Sequence, residues 1–212
     1  NLFAMQRGKL TLAAMPSFAN SLLPEVLQAF HQQHPNINIS LLDMVMERVI
    51  DAVLDGRAEL GIIFEAQHMP GLDFAPLFDD SFVVILPLAH ALQHRTALGW
   101  QDLQGQPYVA MNRGSTIRAW CEQAQQETGV QVSVVAEASQ LSTVGQLVAA
   151  GLGVSVVPAI CQQDMQRRGL CTLPLQHQGG AKRVGVIRRS RSNLSVPARQ
   201  LLLMLEGRFC SG

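Results

Sequence analysis

The chain lacks nearly every feature that would assign it a chemistry at sight. No apolar run in its 212 residues approaches the roughly 18 needed to span a bilayer. The stretch Leu10–Met15 behind Arg7 and Lys9 is too short for a signal peptide and is interrupted by Pro16, so it reads as a first strand. The formal net charge is zero, which argues against this piece holding DNA by itself. The four cysteines, Cys121, Cys161, Cys171 and Cys210, form no C-x-x-C pair. That spacing suits free thiols in a reducing cytoplasm better than a disulfide framework; a redox-sensing cysteine is the competing reading.

Catalytic motifs are missing as well. There is no Walker A sequence, no Gly-x-Ser-x-Gly elbow and no His-Glu-x-x-His, and Gly151-Leu152-Gly153 lacks the third glycine of a dinucleotide fingerprint. His90 and His94 have i, i+4 spacing, but no third ligand stands near them, which favours a surface turn over a zinc site. No catalytic residue, metal or cofactor is expected, and the chain is not read as an enzyme.

What remains is a well-cored globule. Hydrophobic residues make up 48% and charged residues 15%, which excludes disorder, and the length suits one large or two small domains. The charge is unevenly placed. Residues 182–212 carry Lys182, Arg183, Arg188, Arg189, Arg191, Arg199 and Arg208 against Glu206 alone. A solvated edge and helix face is the plainer account, and a surface near DNA or an acidic partner the sharper one. Asn1 in place of Met reads as the start of a fragment or a processed product.

Strands and helices alternate along the chain. Leu10–Met15 is a strand, and 16–21 a loop. Leu22–His34 is a helix with Leu23, Val26, Leu27 and Phe30 on one face, ending before Pro35. Asn36–Leu42 alternates as a strand, Glu47–Asp55 is a helix closed by Gly56, and Leu60–Phe64 is a strand. Residues 65–76 read as a loop and Ser81–Leu86 as a strand. In the second half, Tyr108–Met111 is a strand, and Ser115 or Thr116 can cap a helix that Gly129 closes. Val132–Glu137 is a strand, Leu141–Ala150 a helix, and Pro158–Arg168 another helix. Lys182–Arg188 and Ser195–Phe209 form a last strand and helix. In Val148–Pro158, Gly151 suits the left-handed residue after a helix, Val154, Val156 and Val157 suit a buried parallel strand, and Pro158 opens the next element.

The ordered set Ser17-Phe18-Ala19, Leu22-Leu23-Pro24, Asp55–Ile62, Leu86–Leu92 and Val148–Pro158 resembles the effector-binding domain of LysR-type transcriptional regulators, over nearly the whole chain from about Arg7 to Phe209. The resemblance implies an α/β fold of two Rossmann-like lobes joined by two crossover strands, like a type 2 periplasmic binding protein. Lobe I would hold residues 1–84 with 182–212, lobe II residues 85–181, and Gly179-Gly180 would suit a hinge. It also implies a small-molecule effector bound between the lobes, and a cytoplasmic homodimer, or tetramer at full length, using the helices at Leu22–His34 and Leu141–Ala150. DNA would be held only by an N-terminal winged helix-turn-helix absent from this chain, and no membrane would be involved.

In open α/β sheets, ligands gather beyond the carboxyl ends of strands. Two loops have that placement: Met15–Ala19 and Met111–Thr116. The resemblance puts Ser17, Phe18, Asn112 with its neighbours Arg113, Gly114, Ser115 and Thr116, and Ala138-Ser139 at effector-lining positions. Arg113 and Arg118 could add charge-assisted hydrogen bonds. Val45-Met46 departs from the small or hydroxyl residue usual after the second strand. With Phe64 it suggests a bulky apolar wall and therefore a small organic anion with an apolar or aromatic part. The competing account is that Ser17 and Ser115 only cap helices. A free-standing periplasmic solute-binding protein is the alternative function, and a small α/β enzyme the third.

Overall fold

The computed structural model describes residues 8–210; the expectations placed on Asn1 and Arg7 lie outside them. The chain divides into two compact units, Asn1–Asp79 with Lys182–Gly212, and Asp80–Ala181. It passes from the first to the second after Asp79 and back after Ala181, so the first crossing precedes the 84/85 boundary expected from sequence.

In the first unit the strands are β1 (Gly8–Ala14), β2 (Ile37–Asp43), β3 (Leu60–Phe64), β4 (Leu72–Asp80) and, after the excursion through the other unit, β10 (Lys182–Arg189). Their order in the sheet is β2-β1-β3-β10-β4. β1 runs parallel to β2 and β3, with Leu12 beside Leu41 and Leu60, whereas β10 is antiparallel to β3. All five residues of Leu60–Phe64 are buried, as a strand covered on both faces requires. The helices are α1 (Pro16–Ser21), α2 (Leu23–Gln33), α3 (Met46–Leu54) and α7 (Val196–Phe209). α3 buries Met46, Val49, Ala52 and Val53; α7 buries Ala198, Leu201 and Leu205.

Two sequence expectations change here. Residues 16–21, read as loop, form α1, because Pro16 takes the first-turn position where a missing N–H costs nothing. Part of 65–76, also read as loop, belongs to β4. Pro76 sits inside that strand, which is tolerated because β4 is at the sheet edge.

The second unit contains β5 (Phe82–Pro87), β6 (Pro107–Met111), β7 (Ser133–Ala138), β8 (Ser155–Pro158) and β9 (Leu170–Pro174), with helices α4 (Thr116–Thr128), α5 (Leu141–Ala149) and α6 (Gln162–Arg167). β6 and β7 are parallel, and β8-β5-β9 form a sheet. Val154 joins the two groups: its N–H donates to the Pro107 carbonyl at 2.8 Å and its carbonyl accepts from Val109 N–H at 2.9 Å. Val83, Ile85, Val109, Val144, Val148, Val157 and Met165 make one buried cluster.

The stretch Val148–Pro158 behaves as read at its start and differs at its end. Gly151 has φ +92°; its N–H reaches the Val148 carbonyl at 2.9 Å, and Leu152 N–H the Leu147 carbonyl at 3.2 Å. This paired geometry is a Schellman closure of α5. The strand that follows is not a parallel one. β8 is antiparallel to β5, with Val84 beside Val156, and only Val154 bridges in parallel, to Tyr108. The reason is that β5 enters the sheet from the crossing rather than from a preceding helix. Pro158 ends β8, and a short 3₁₀ turn, Ala159–Cys161, precedes α6.

Three of the seven basic residues of the C-terminal run pair within the first unit. Arg183 faces Glu65 at 3.7 Å and Asp79 at 3.9 Å, Arg188 faces Asp73 at 3.9 Å, and Arg208 pairs with Glu25.

Gly153 leaves no room for a side chain, since a Cβ there would fall on the Pro107 carbonyl, whereas a Cβ on Gly207 in α7 meets nothing within 4 Å. Gly153→Ala should therefore cost roughly 1–3 kcal/mol of stability. Gly207→Ala should add about 0.5–1 kcal/mol. Urea unfolding of both variants reads the opposite signs.

Candidate functional site

In the first unit, α1 and α3 start at the carboxyl ends of β1 and β2, next to the end of β3. The parallel bonding of the three strands sets these ends side by side, with Met44 N–H on the Ala14 carbonyl at 3.0 Å. Ser17 and Phe18 lie in α1, Met46 opens α3, and Phe64 ends β3. Phe18 and Phe64 pack with ring centroids 5.3 Å apart and 57° between planes, and neither has exposed surface. Met46 is buried too. Phe18 and Phe64 thus make a buried ring pair, with Met46 buried at the start of α3.

Ser17 is the polar member of this group. Its Oγ is buried and finds no hydrogen-bond partner among the described residues. Buried hydroxyls rarely stay unsatisfied, because the lost water contacts cost about 1–3 kcal/mol. Among the described residues His34 Nε2 and Trp100 Nε1 share this state, but both residues precede strands. Ser17 follows one. It does not cap α1, whose N-cap is Met15 with no side-chain bond.

In the second unit, Asn112–Thr116 leave the end of β6 and Ser139 leaves the end of β7. Asn112 N–H donates to the Ala138 carbonyl at 2.9 Å and ties the two departures together. Gly114 turns the first loop with φ +90°. Asn112, Arg113, Gly114 and Ser139 are exposed, Ser115 and Thr116 are half-buried, and Ala138 is buried. Ser115 behaves as a cap: its Oγ accepts from Arg118 N–H at 3.4 Å at the start of α4. The capping account thus describes Ser115 but not Ser17.

Arg118 also departs from expectation. It donates to the Met111 carbonyl at 3.0 Å, bonds Glu122 at 2.7 Å and faces Glu137 at 3.2 Å, so its Nε and Nη1 donors are engaged within the protein. The Glu122 bond, the largest influence, holds its proton more firmly still, against the opposing effect of burial. Arg113 is the exposed cation of this loop. A small cavity under α4, lined by Tyr108, Ile117, Arg118, Cys121 and Ser155 among others, takes in none of residues 112–116.

Among the described residues no group of three or more His, Cys, Asp or Glu could hold a metal ion. His90 instead serves a turn: its Nδ1 accepts from Leu92 N–H at 3.1 Å. The described helices include none long and apolar enough to cross a membrane.

One buried carboxylate stands apart from these loops. Asp80 accepts from Ile160 N–H at 3.1 Å, and its burial pushes its pKa up from 3.8 to about 6 against the pull of the Ile160 and Ser81 amides. A raised acid favours the folded state when protonated. Its contribution is therefore fully present below 3.8 and lost as pH rises through about 6. Asp80→Asn keeps a carbonyl acceptor and removes the titration. Relative to that variant, the native protein should gain about 2 kcal/mol on going from pH 7.5 to pH 4, as read by denaturant unfolding at each pH. A constant difference would contradict this.

Residues 4–209 match the family described as LysR substrate binding domain. The chain is 28% identical over 202 residues to the uncharacterized HTH-type transcriptional regulator YbhD of Escherichia coli (strain K12), covering 95% of this chain and 64% of that protein. It spans about half to two thirds of the length of such relatives, 55% in the case of the E. coli K12 transcriptional activator protein LysR, which is 28% identical over 80% of this chain. The effector-binding domain of QuiR, solved in complex with shikimate, superposes with a TM-score of 0.88 at 17% identity, covering 96% of this chain and 98% of that one. At these identities the structural likeness speaks for the fold, which is that of type 2 periplasmic binding proteins.

Proposed function

The chain belongs to the LysR substrate-binding domain family, and we propose that it is the effector-binding domain of a LysR-type transcriptional regulator that senses a small organic anion. The two units act as the two effector-binding lobes. In the full-length protein, effector binding alters how an N-terminal winged helix-turn-helix domain holds DNA. The regulator works in the cytoplasm as a homodimer or tetramer, with α2 and α5 in the subunit contact, and it catalyses no reaction. That the curated relatives are regulators favours this reading over a solute carrier.

The observation that carries the site is the Ser17 hydroxyl. It is a buried donor without a partner, at the carboxyl end of a parallel strand, where open α/β sheets take their ligands. An effector oxygen satisfies it. The Phe18, Met46 and Phe64 side chains behind it give the site its apolar character, and Asn112, Arg113, Gly114, Ser115, Thr116, Ala138 and Ser139 supply the loops of the second lobe. A carboxylate with an apolar or aromatic body answers both features.

A thermal-shift screen with shikimate, benzoate and other small carboxylates should raise the unfolding midpoint with one chemical class, because a ligand of the native state stabilises by mass action. Ser17→Ala should leave the ligand-free midpoint unchanged or slightly higher, since the hydroxyl has no internal bond to lose. It should weaken the active acid by roughly 10–100-fold, the scale of a hydrogen bond to a charged group. An alanine variant that binds that acid as tightly as the native protein would remove Ser17 from the site.

A further inference from the structure

We infer that Arg118 is the positioning residue for the two loops assigned to the effector in the second unit, an inference that rests on the effector reading above. Arg118 lies in the first turn of α4, yet only 9% of its side chain is exposed. Its guanidinium donates in three directions. Nη1 reaches the Met111 carbonyl at 3.0 Å and the Glu137 carboxylate at 3.2 Å, and Nε reaches Glu122 at 2.7 Å.

The identity of those acceptors is what matters. Met111 is the last residue of β6, and the first loop begins at Asn112. Glu137 is the next-to-last residue of β7, and its neighbour Ala138 accepts the Asn112 N–H. A single cation therefore ties α4 to the last backbone carbonyl of β6 and to a carboxylate one residue before the end of β7. The same helical turn is capped by Ser115, a member of the first loop. With Nε and Nη1 engaged inside the protein and only 9% of the side chain exposed, the influence of Arg118 runs through the groups it holds.

An ordinary helix-surface ion pair explains only the i, i+4 contact with Glu122, and such pairs contribute little. It leaves unexplained why the guanidinium turns inward, at the cost of its hydration, to a main-chain carbonyl and a carboxylate on another strand. A planar fork can hold several acceptors in fixed directions, which a lysine ammonium cannot. Binding groups keep their geometry when the residues behind them are locked in this way.

Three variants separate positioning from simple stability. Arg118→Lys removes the fork and Glu137→Gln the charge from the tie between helix and strands; Glu122→Gln removes the charge only from the pair within α4. Amide exchange followed by NMR on the whole chain should show Asn112 exchanging at least about tenfold faster in the first two, with Val109 in the core unchanged. In Glu122→Gln the Asn112 rate should stay at the native value. Affinity for the probe acids benzoate and shikimate should fall about tenfold in Arg118→Lys and in Glu137→Gln, a scale common for outer partners that orient binding groups. The double variant should be no weaker than either single one, as expected for one shared interaction.

Native Asn112 exchange in both Arg118→Lys and Glu137→Gln would overturn the inference, and so would an equal acceleration in Glu122→Gln. If Arg118→Lys fails to fold, Glu137→Gln decides alone, because it leaves the cation paired with Glu122. Failure of the native protein to bind either acid would count against the effector reading, while the exchange rates would still decide the role of Arg118.

Discussion

The first unit depends on one long-range pairing: the antiparallel insertion of Lys182–Arg189 between β3 and β4. Until that segment returns from the second unit, the sheet has no fourth strand and β3 has an open edge beside its buried apolar face. Two glycines make the insertion fit. A Cβ on Gly61 would come within 2.9 Å of Ile187, Val49 and Val53, and one on Gly185 would fall on the Ala75 carbonyl and the Phe74 ring. Side chains of β10 and α3 thus pack over Gly61, and the β4 backbone closes on Gly185, while Val184, Val186 and Ile187 are buried. The loop closure this requires is long, so the pairing is favourable only when the apolar contacts form with it.

The second unit solves the same problem with its own chain. β5 enters at the crossing and runs antiparallel to both β8 and β9, so that β8 is held between it and the parallel pair that Val154 joins. In each unit the parallel strands then end on one side, and that side carries the helix starts and loops. The candidate site follows from this arrangement more than from any one residue type. Ser17 is left with a buried, unanswered hydroxyl because β1 delivers it into α1 behind an apolar cap. Ser115, at the corresponding place after β6, uses its hydroxyl on its own helix.

Much of this was legible in the residues. The alternation of Ile37, Ile39 and Leu41, the continuous apolar run Leu60–Phe64 and the glycine closure of α5 all carry their geometry locally, and the structure follows them. The ordered fragments from Ser17 to Pro158 carried the family as well. What could not be read depends on neighbours distant in sequence. Pro76 and Gly71 argue against a strand, and β4 exists because an edge position forgives a proline. The direction of β8 is set by β5, about 70 residues earlier in the chain. Nothing in the sequence separates a capping serine from an unsatisfied one, or an arginine free for a ligand from one such as Arg118 that is bound to a strand end.

The central claim, that small organic anions bind at the carboxyl ends of these strands, is tested most directly by NMR titration of the isotopically labelled chain with benzoate and shikimate. The account predicts saturable shifts of the amide signals of Ser17 and Phe18 together with those of Asn112–Thr116 and Ser139, while Leu201 and Leu205 in α7 stay still. Saturable shifts confined to α7 or to the outer face of β4, with Ser17 and Asn112 unmoved, would contradict it.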